Sequence, residues 1–99
     1  MKAAEQNLTQ ALRAIADPTR RRILKLLREP GCCSIDKDTG MCACDIETRI
    51  GLSQPTVSHH MGILREAGLV EARKLGQWMW YRRKENALRD LARELREEL

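Results

Sequence analysis

Apolar positions along this chain recur at helical spacing in five stretches and take a strand-like form in one more. Leu8, Leu12 and Ile15 stand at i, i+4 and i+7 and define one face of a first helix. A second helix follows in ADPTRRRILKLLREPG, where Asp17 is placed to cap, Pro18 to occupy the first turn and Pro30-Gly31 to stop it. Ile23, Leu24 and Leu27 supply its inward face. CDIETRI reads as a short helix of about two turns, with Ile46 and Ile50 inward and Gly51 closing it. LSQPTVSHHMGILREAG then restarts a helix, with Ser53 as cap, Pro55 in the first turn and Gly68 at the end. Val57, Met61 and Leu64 form its buried stripe, and the tight glycine-containing turn makes the pair a helix-turn-helix.

β-Favouring Trp, Tyr and Val replace the helical pattern in LVEARKLGQWMWYRR. Leu69–Lys74 and Gln77–Arg82 read as two strands around a Leu75-Gly76 turn, with Trp78, Trp80 and Tyr81 as a packing face. In ENALRDLARELREEL, Leu88, Leu91, Leu95 and Leu99 recur at spacings of three, four and four, and Ala87 and Ala92 permit close approach. The predicted fold is therefore mainly α with a small β-hairpin, in the order α-α-α-α-β-β-α. With no internal repeat or low-complexity linker, residues 1–99 read as one domain: helix-turn-helix about 43–67, hairpin about 69–83, terminal helix about 85–98. A chain of 99 residues has only a modest core of its own. Leu8, Leu12, Leu88, Leu91 and Leu95 are therefore expected to pair two copies through their terminal helices.

Composition narrows the function. A hydrophobic content of 42% is not that of a disordered chain. No apolar run approaches the ~20 residues that cross a bilayer, and the polar, helix-patterned N-terminus does not resemble a signal peptide. The expected compartment is the cytoplasm, where thiols stay reduced. The net charge of +4 is uneven: residues 31–50 carry two basic and four acidic groups. They lie between basic blocks at 1–30, with seven against three, and 51–84, with six against two. Such a distribution suits a polyanion. Gln54, Thr56, Ser58, His59 and Arg65 are the outward positions of the second helix of the helix-turn-helix, and these groups reach base edges and phosphates of duplex DNA. Arg73 and Lys74 near the hairpin tip extend that surface. His60 is assigned to packing or a phosphate contact, and Arg20–Arg22 open their helix against its dipole unless paired or solvated.

All four cysteines lie in GCCSIDKDTGMCAC, Gly31 to Cys44. Adjacent Cys32 and Cys33 do not readily bridge each other, and a reducing compartment opposes lasting disulfides. Their spacing fits the paired C-x2-4-C frame of structural zinc poorly. Four small apolar fillers crowded into thirteen positions would be an unusual coincidence. A soft-ion sensor suits thiolate donors better. A cysteine nucleophile would need a base beside it, yet both histidines belong to another helix and no Gly-rich phosphate loop is present, so the chain is read as a non-enzyme.

Three motifs in register resemble the ArsR/SmtB family of metal-responsive, winged helix-turn-helix bacterial repressors. ADPTRRRILKLL is similar to the family's second-helix signature, LSQPTVSHHMGILREAGLV to its recognition helix, in which the position of His60 is a recurring histidine, and GQWMWYR to its wing. The resemblance implies a homodimer that represses its own operon and leaves operator DNA when an inducer binds. CACDIE resembles the family's C-x-C-D-L-C box, which binds trivalent arsenic and antimony, or cadmium and lead in related members. Cys42 and Cys44 match its first two positions, and Glu47 stands where the third cysteine belongs. Cys32 and Cys33 are the remaining thiols, so the expected site is Cys42, Cys44 and one or both of them. The expected inducer is As(III) or Sb(III). Cd(II) or Pb(II), aided by Asp45 or Glu47 oxygens, and a thiol-redox or persulfide signal are the alternatives. Residues i and i+2 of a regular helix point about 200° apart. Cys42 and Cys44 would therefore chelate one ion only if the segment were extended or the start of the 45–50 helix unwound, which would tilt the recognition helix. The terminal helix has no histidine, so the zinc site that some relatives carry there is absent.

Overall fold

The computed structural model describes residues 3–28 and 40–99. Its elements are α1 (Ala3–Ile15), α2 (Pro18–Leu26), β1 (Met41–Cys42), α3 (Ala43–Ile50), α4 (Gln54–Glu66), β2 (Val70–Leu75), β3 (Trp78–Arg83) and α5 (Glu85–Glu98). The expected Pro30-Gly31 stop lies outside the described residues; α2 ends at Leu26.

The corner between α1 and α2 explains the arginine run. Asp17 caps α2 by accepting from the Arg20 amide at 3.0 Å, and that bond holds its carboxyl below the ordinary carboxylate range. The guanidinium of Arg20 donates to the carbonyls of Ala14 and Arg13, and that of Arg21 donates to Ile15 at 2.6 Å. Two cations that look misplaced at the start of α2 thus satisfy the orphan carbonyls at the end of α1, where positive charge is favoured.

The helix-turn-helix forms as expected. Gly51 closes α3 at φ 77°, ψ 34°, a left-handed conformation that glycine adopts without strain, and its amide donates to the Glu47 carbonyl at 2.8 Å. Ser53 stands at the N-cap position of α4, but its hydroxyl pairs with that of Thr56 at 2.9 Å and makes no backbone capping bond. Ile23, Leu27, Met41, Ile46, Met61 and Leu64 are wholly buried and join the helices to the sheet.

The sheet departs from expectation. Three antiparallel strands, in the order β1-β3-β2, stand where a two-stranded hairpin was expected, so the element order is α-α-β-α-α-β-β-α. Met41 pairs with Tyr81 and Cys42 with Trp80. A two-residue strand is too short to imprint a period on the sequence. β2 and β3 also begin one residue later than expected, with Gly76 in the turn at φ 63°.

Arg83 at the end of β3 is 13% exposed: it donates to the Leu24 carbonyl at 2.9 Å and pairs with Glu85 at 2.6 Å. It ties the end of α2 to the junction of β3 and α5. In α5, Leu91 is buried in the chain's own core, while Leu88 and Leu95, like Leu8 and Leu12 of α1, are half-buried against it. Leu99 is fully exposed. Among the described residues no helix is long and apolar enough to cross a membrane.

Candidate nucleic-acid interface and thiol pair

α4 buries Val57, Met61 and Leu64 and displays the opposite side, so Gln54, Thr56, Ser58, His59 and Arg65 are all exposed. The helix is fixed from behind by packing, and among the described residues no element covers its outward side chains. His60 differs: it is half-buried, and its Nδ1 lies 3.2 Å from Nη1 of Arg20. The guanidinium can only donate, so the ring nitrogen accepts there. His60 thus locks α4 to the α1–α2 corner, which turns the expected choice between packing and phosphate contact toward packing. Nothing in sequence spacing connects two residues forty positions apart.

The hairpin separates its cations in the same way. Arg73 and Lys74 are exposed near the tip. Arg82 forms an ion pair with its cross-strand neighbour Glu71 and lies over the Trp80 ring, 5.6 Å from the centroid. Trp80 and Tyr81 are both buried but on opposite faces of β3, so they do not form the one packing face expected, and burial pushes the Tyr81 phenol above its usual range. Trp78 does not pack; it is 53% exposed, because it lies opposite Leu75 at the outer end of the ladder.

The thiol pair sits where strand becomes helix. Cys42 ends β1 and is also the N-cap of α3, with extended backbone at φ −75°, ψ 158°; Cys44 lies in the first turn of α3. Their sulfurs are 3.0 Å apart. Of the two expected arrangements, an extended segment or an unwound helix start, the structure has the first: Cys42 is extended while Cys44 is helical. Two sulfurs that share one ion at about 2.3 Å each stand about 3.7 Å apart in a tetrahedral frame. The observed separation of 3.0 Å is within about 1 Å of that value. Cys42 is buried and Cys44 exposed, so the pair has one anchored and one accessible member.

Other donors are placed less favourably. Asp45 is buried and pairs with Arg49 at 3.4 Å. Glu47 is half-buried on α3, and Cys32 and Cys33 lie outside the described residues. Among the described residues no group of three or more His, Cys, Asp or Glu side chains is gathered for a metal ion. One residue that the sequence reading did not single out belongs to this site. Gly40 precedes β1 at φ 155°, and a Cβ there would fall 2.3 Å from Cζ2 of Trp80. The glycine in DTGMC was visible, but its partner forty residues away was not.

Comparison with known proteins agrees with this geometry. The family model for bacterial regulatory proteins of the arsR family matches residues 17–72. A helix-turn-helix-type transcriptional regulator of Methanocaldococcus jannaschii is 43% identical over 77% of this chain and 76% of its own length. The arsenical resistance operon repressor of Escherichia coli K12 is 41% identical over 74% of this chain, which spans 56% of that repressor. The solution structure of a homodimeric winged helix-turn-helix DNA-binding domain from Mycobacterium bovis superposes with a TM-score of 0.75 at 28% identity. That match covers 91% of this chain and 76% of the other.

Proposed function

The chain belongs to the ArsR family of bacterial regulatory proteins, and from that premise we propose that it is a homodimeric repressor that trivalent arsenic or antimony releases from operator DNA. The observation that carries the reading is the Cys42–Cys44 pair, 3.0 Å apart at the start of the first helix of the helix-turn-helix. Thiolates select thiophilic ions, and a third sulfur from Cys32 or Cys33 completes the set that Glu47 leaves open. Gathering these sulfurs around one ion pulls on the cap of α3 and so on α4 behind it. The exposed side of α4 reads bases while Arg73 and Lys74 hold phosphates, so a modest rotation uncouples the two. The arsenical resistance repressor among the relatives supports arsenic over cadmium or lead. So does the engagement of Asp45 with Arg49, which occupies an oxygen donor that the harder ions would use. Pairing through α1 and α5 accounts for leucines that the chain's own core covers only partly, and it matches the homodimeric relative from Mycobacterium bovis.

The test is release of duplex DNA from upstream of the protein's own gene by arsenite, antimonite, cadmium, lead, zinc and hydrogen peroxide. It is run on wild type and each single Cys→Ser variant. The reading expects arsenite and antimonite to release DNA from wild type, and neither to do so from the Cys42→Ser or Cys44→Ser variant. Release by cadmium, lead or peroxide alone would replace the inducer while keeping the repressor.

A further inference from the structure

The pairing of β1 carries the thiols beyond the helix pair. Cys42 lies opposite Trp80 of β3, and Trp80 lies opposite Arg73 of β2. Directly opposed residues of an antiparallel sheet project from the same face, so Cys42, Trp80 and Arg73 form one cross-strand row. Neighbouring strands are about 4.8 Å apart, which places the Arg73 backbone about 10 Å from that of Cys42. The opposite face, with Met41, Tyr81 and Val70, is buried in the core and anchors the sheet from behind.

Contacts along the row leave little slack. Trp80 is 6% exposed and lies so close to Gly40 that even a Cβ there would collide with its indole. The guanidinium carbons of Arg73 and Arg82 stand 5.5 Å and 5.6 Å from the same ring centroid. Arg82 is held by its ion pair with Glu71, whereas Arg73 is exposed and available to a phosphate. Among the described residues β1 is a two-residue edge strand that pairs with β3, and it is the strand that carries Cys42.

We infer that ligand binding at the thiols acts on the wing directly, with Trp80 as the positioning residue that passes a shift of β1 to Arg73. The inference rests on Cys42 and Cys44 being the inducer site, and it adds a second route of release beside the tilt of α4. Gly40 cannot approach the indole further, so a displaced β1 carries Trp80 with it. Arg73, stacked on the same ring, then leaves its phosphate.

The experiment uses sodium arsenite as probe on the full chain and separates the two claims. Protection of thiols from a disulfide reagent reports arsenite binding. Affinity for the upstream duplex with and without arsenite gives a release factor for wild type, Arg73→Ala and Trp80→Phe. Wild type is expected to weaken by about 10- to 100-fold, the range of typical allosteric couplings. Both variants are expected to show full thiol protection and a release factor at least about threefold smaller, since the wing contact that arsenite breaks is already absent or uncoupled. Equal factors in wild type and Arg73→Ala, with thiols protected, would overturn the wing route and leave the inducer site standing. Unprotected thiols in wild type would overturn both. A Trp78→Phe chain, in which Trp80 is the remaining tryptophan, provides a check that does not depend on the Trp80→Phe variant folding. Its emission maximum should move on adding arsenite and stay fixed when Cys42→Ser is added; an unmoved maximum with protected thiols counts against the inference.

Discussion

The helix α4 and the junction from Gly40 to Cys44 adjoin the same short helix, yet they are built on opposite plans. α4 repeats one arrangement over thirteen residues, with Val57, Met61 and Leu64 inside and a polar face outside. The junction has no repetition. Gly40 makes room for Trp80, Met41 fills the core, Cys42 ends a strand and caps a helix, and Cys44 opens the first turn. A periodic face spreads its function over several side chains, so losses there should be graded. In a junction each residue has a separate task, so losses should be close to complete and different in kind.

The sharpest contrast is expected at the thiols. Cys42→Ser should remove the whole ~10- to 100-fold response to arsenite while leaving DNA affinity within about twofold, as read by fluorescence anisotropy on the upstream duplex. A variant that loses DNA binding and response together would erase the distinction between the two regions. Next in size is Gly40→Ala. The added carbon meets the Trp80 indole at a backbone angle that side chains rarely adopt, so unfolding in urea should show about 2–3 kcal/mol less stability. A neutral result would mean that the indole moves freely and that the junction is looser than its contacts imply. On α4 the effects should be smaller and should accumulate: Ser58→Ala or His59→Ala is expected to weaken DNA binding about five- to tenfold each, with the sedimentation of the protein unchanged. Full loss from one of them would make α4 as indivisible as the junction.

The smallest effect concerns the frame behind both regions. The Asp17 carboxyl is held below its ordinary range, first by the Arg20 amide and then by the charge of Arg20. A depressed carboxylate contributes stability that is present above its unfolded pKa and is lost as the pH falls through the folded value. Thermal melts of wild type should therefore lose a small increment in that acid range, and Asp17→Asn should lose its part of the dependence. An unchanged acid profile in the variant would show that the capping bond does not report on folding.

Much of the α4 half was legible in advance because periodicity is repeated information. Val57, Met61 and Leu64 fix the inward side, and the outward side follows by exclusion. The hairpin and α5 were legible on the same ground. What stayed hidden was set by partners distant in sequence or by single residues. Arg20 looked misplaced until the α1 carbonyls and His60 were seen around it. Nothing in the sequence marks Arg83, whose bond to the Leu24 carbonyl fifty-nine residues away ties the sheet to α2. β1 was too short to show a period, so the strand that Cys42 ends could not be read from the sequence. Of the two arrangements the spacing allowed, an extended segment or an unwound helix start, the backbone of Cys42 adopts the extended one.

The central claim is that the Cys42 and Cys44 thiolates, completed by a sulfur from Cys32 or Cys33, hold the inducer. Arsenic-edge X-ray absorption on arsenite-loaded wild type and on the Cys42→Ser variant tests it most directly. The account predicts an all-sulfur shell in wild type and an oxygen neighbour in place of one sulfur in the variant. An unchanged shell in Cys42→Ser, or oxygen around arsenic in wild type, would contradict it.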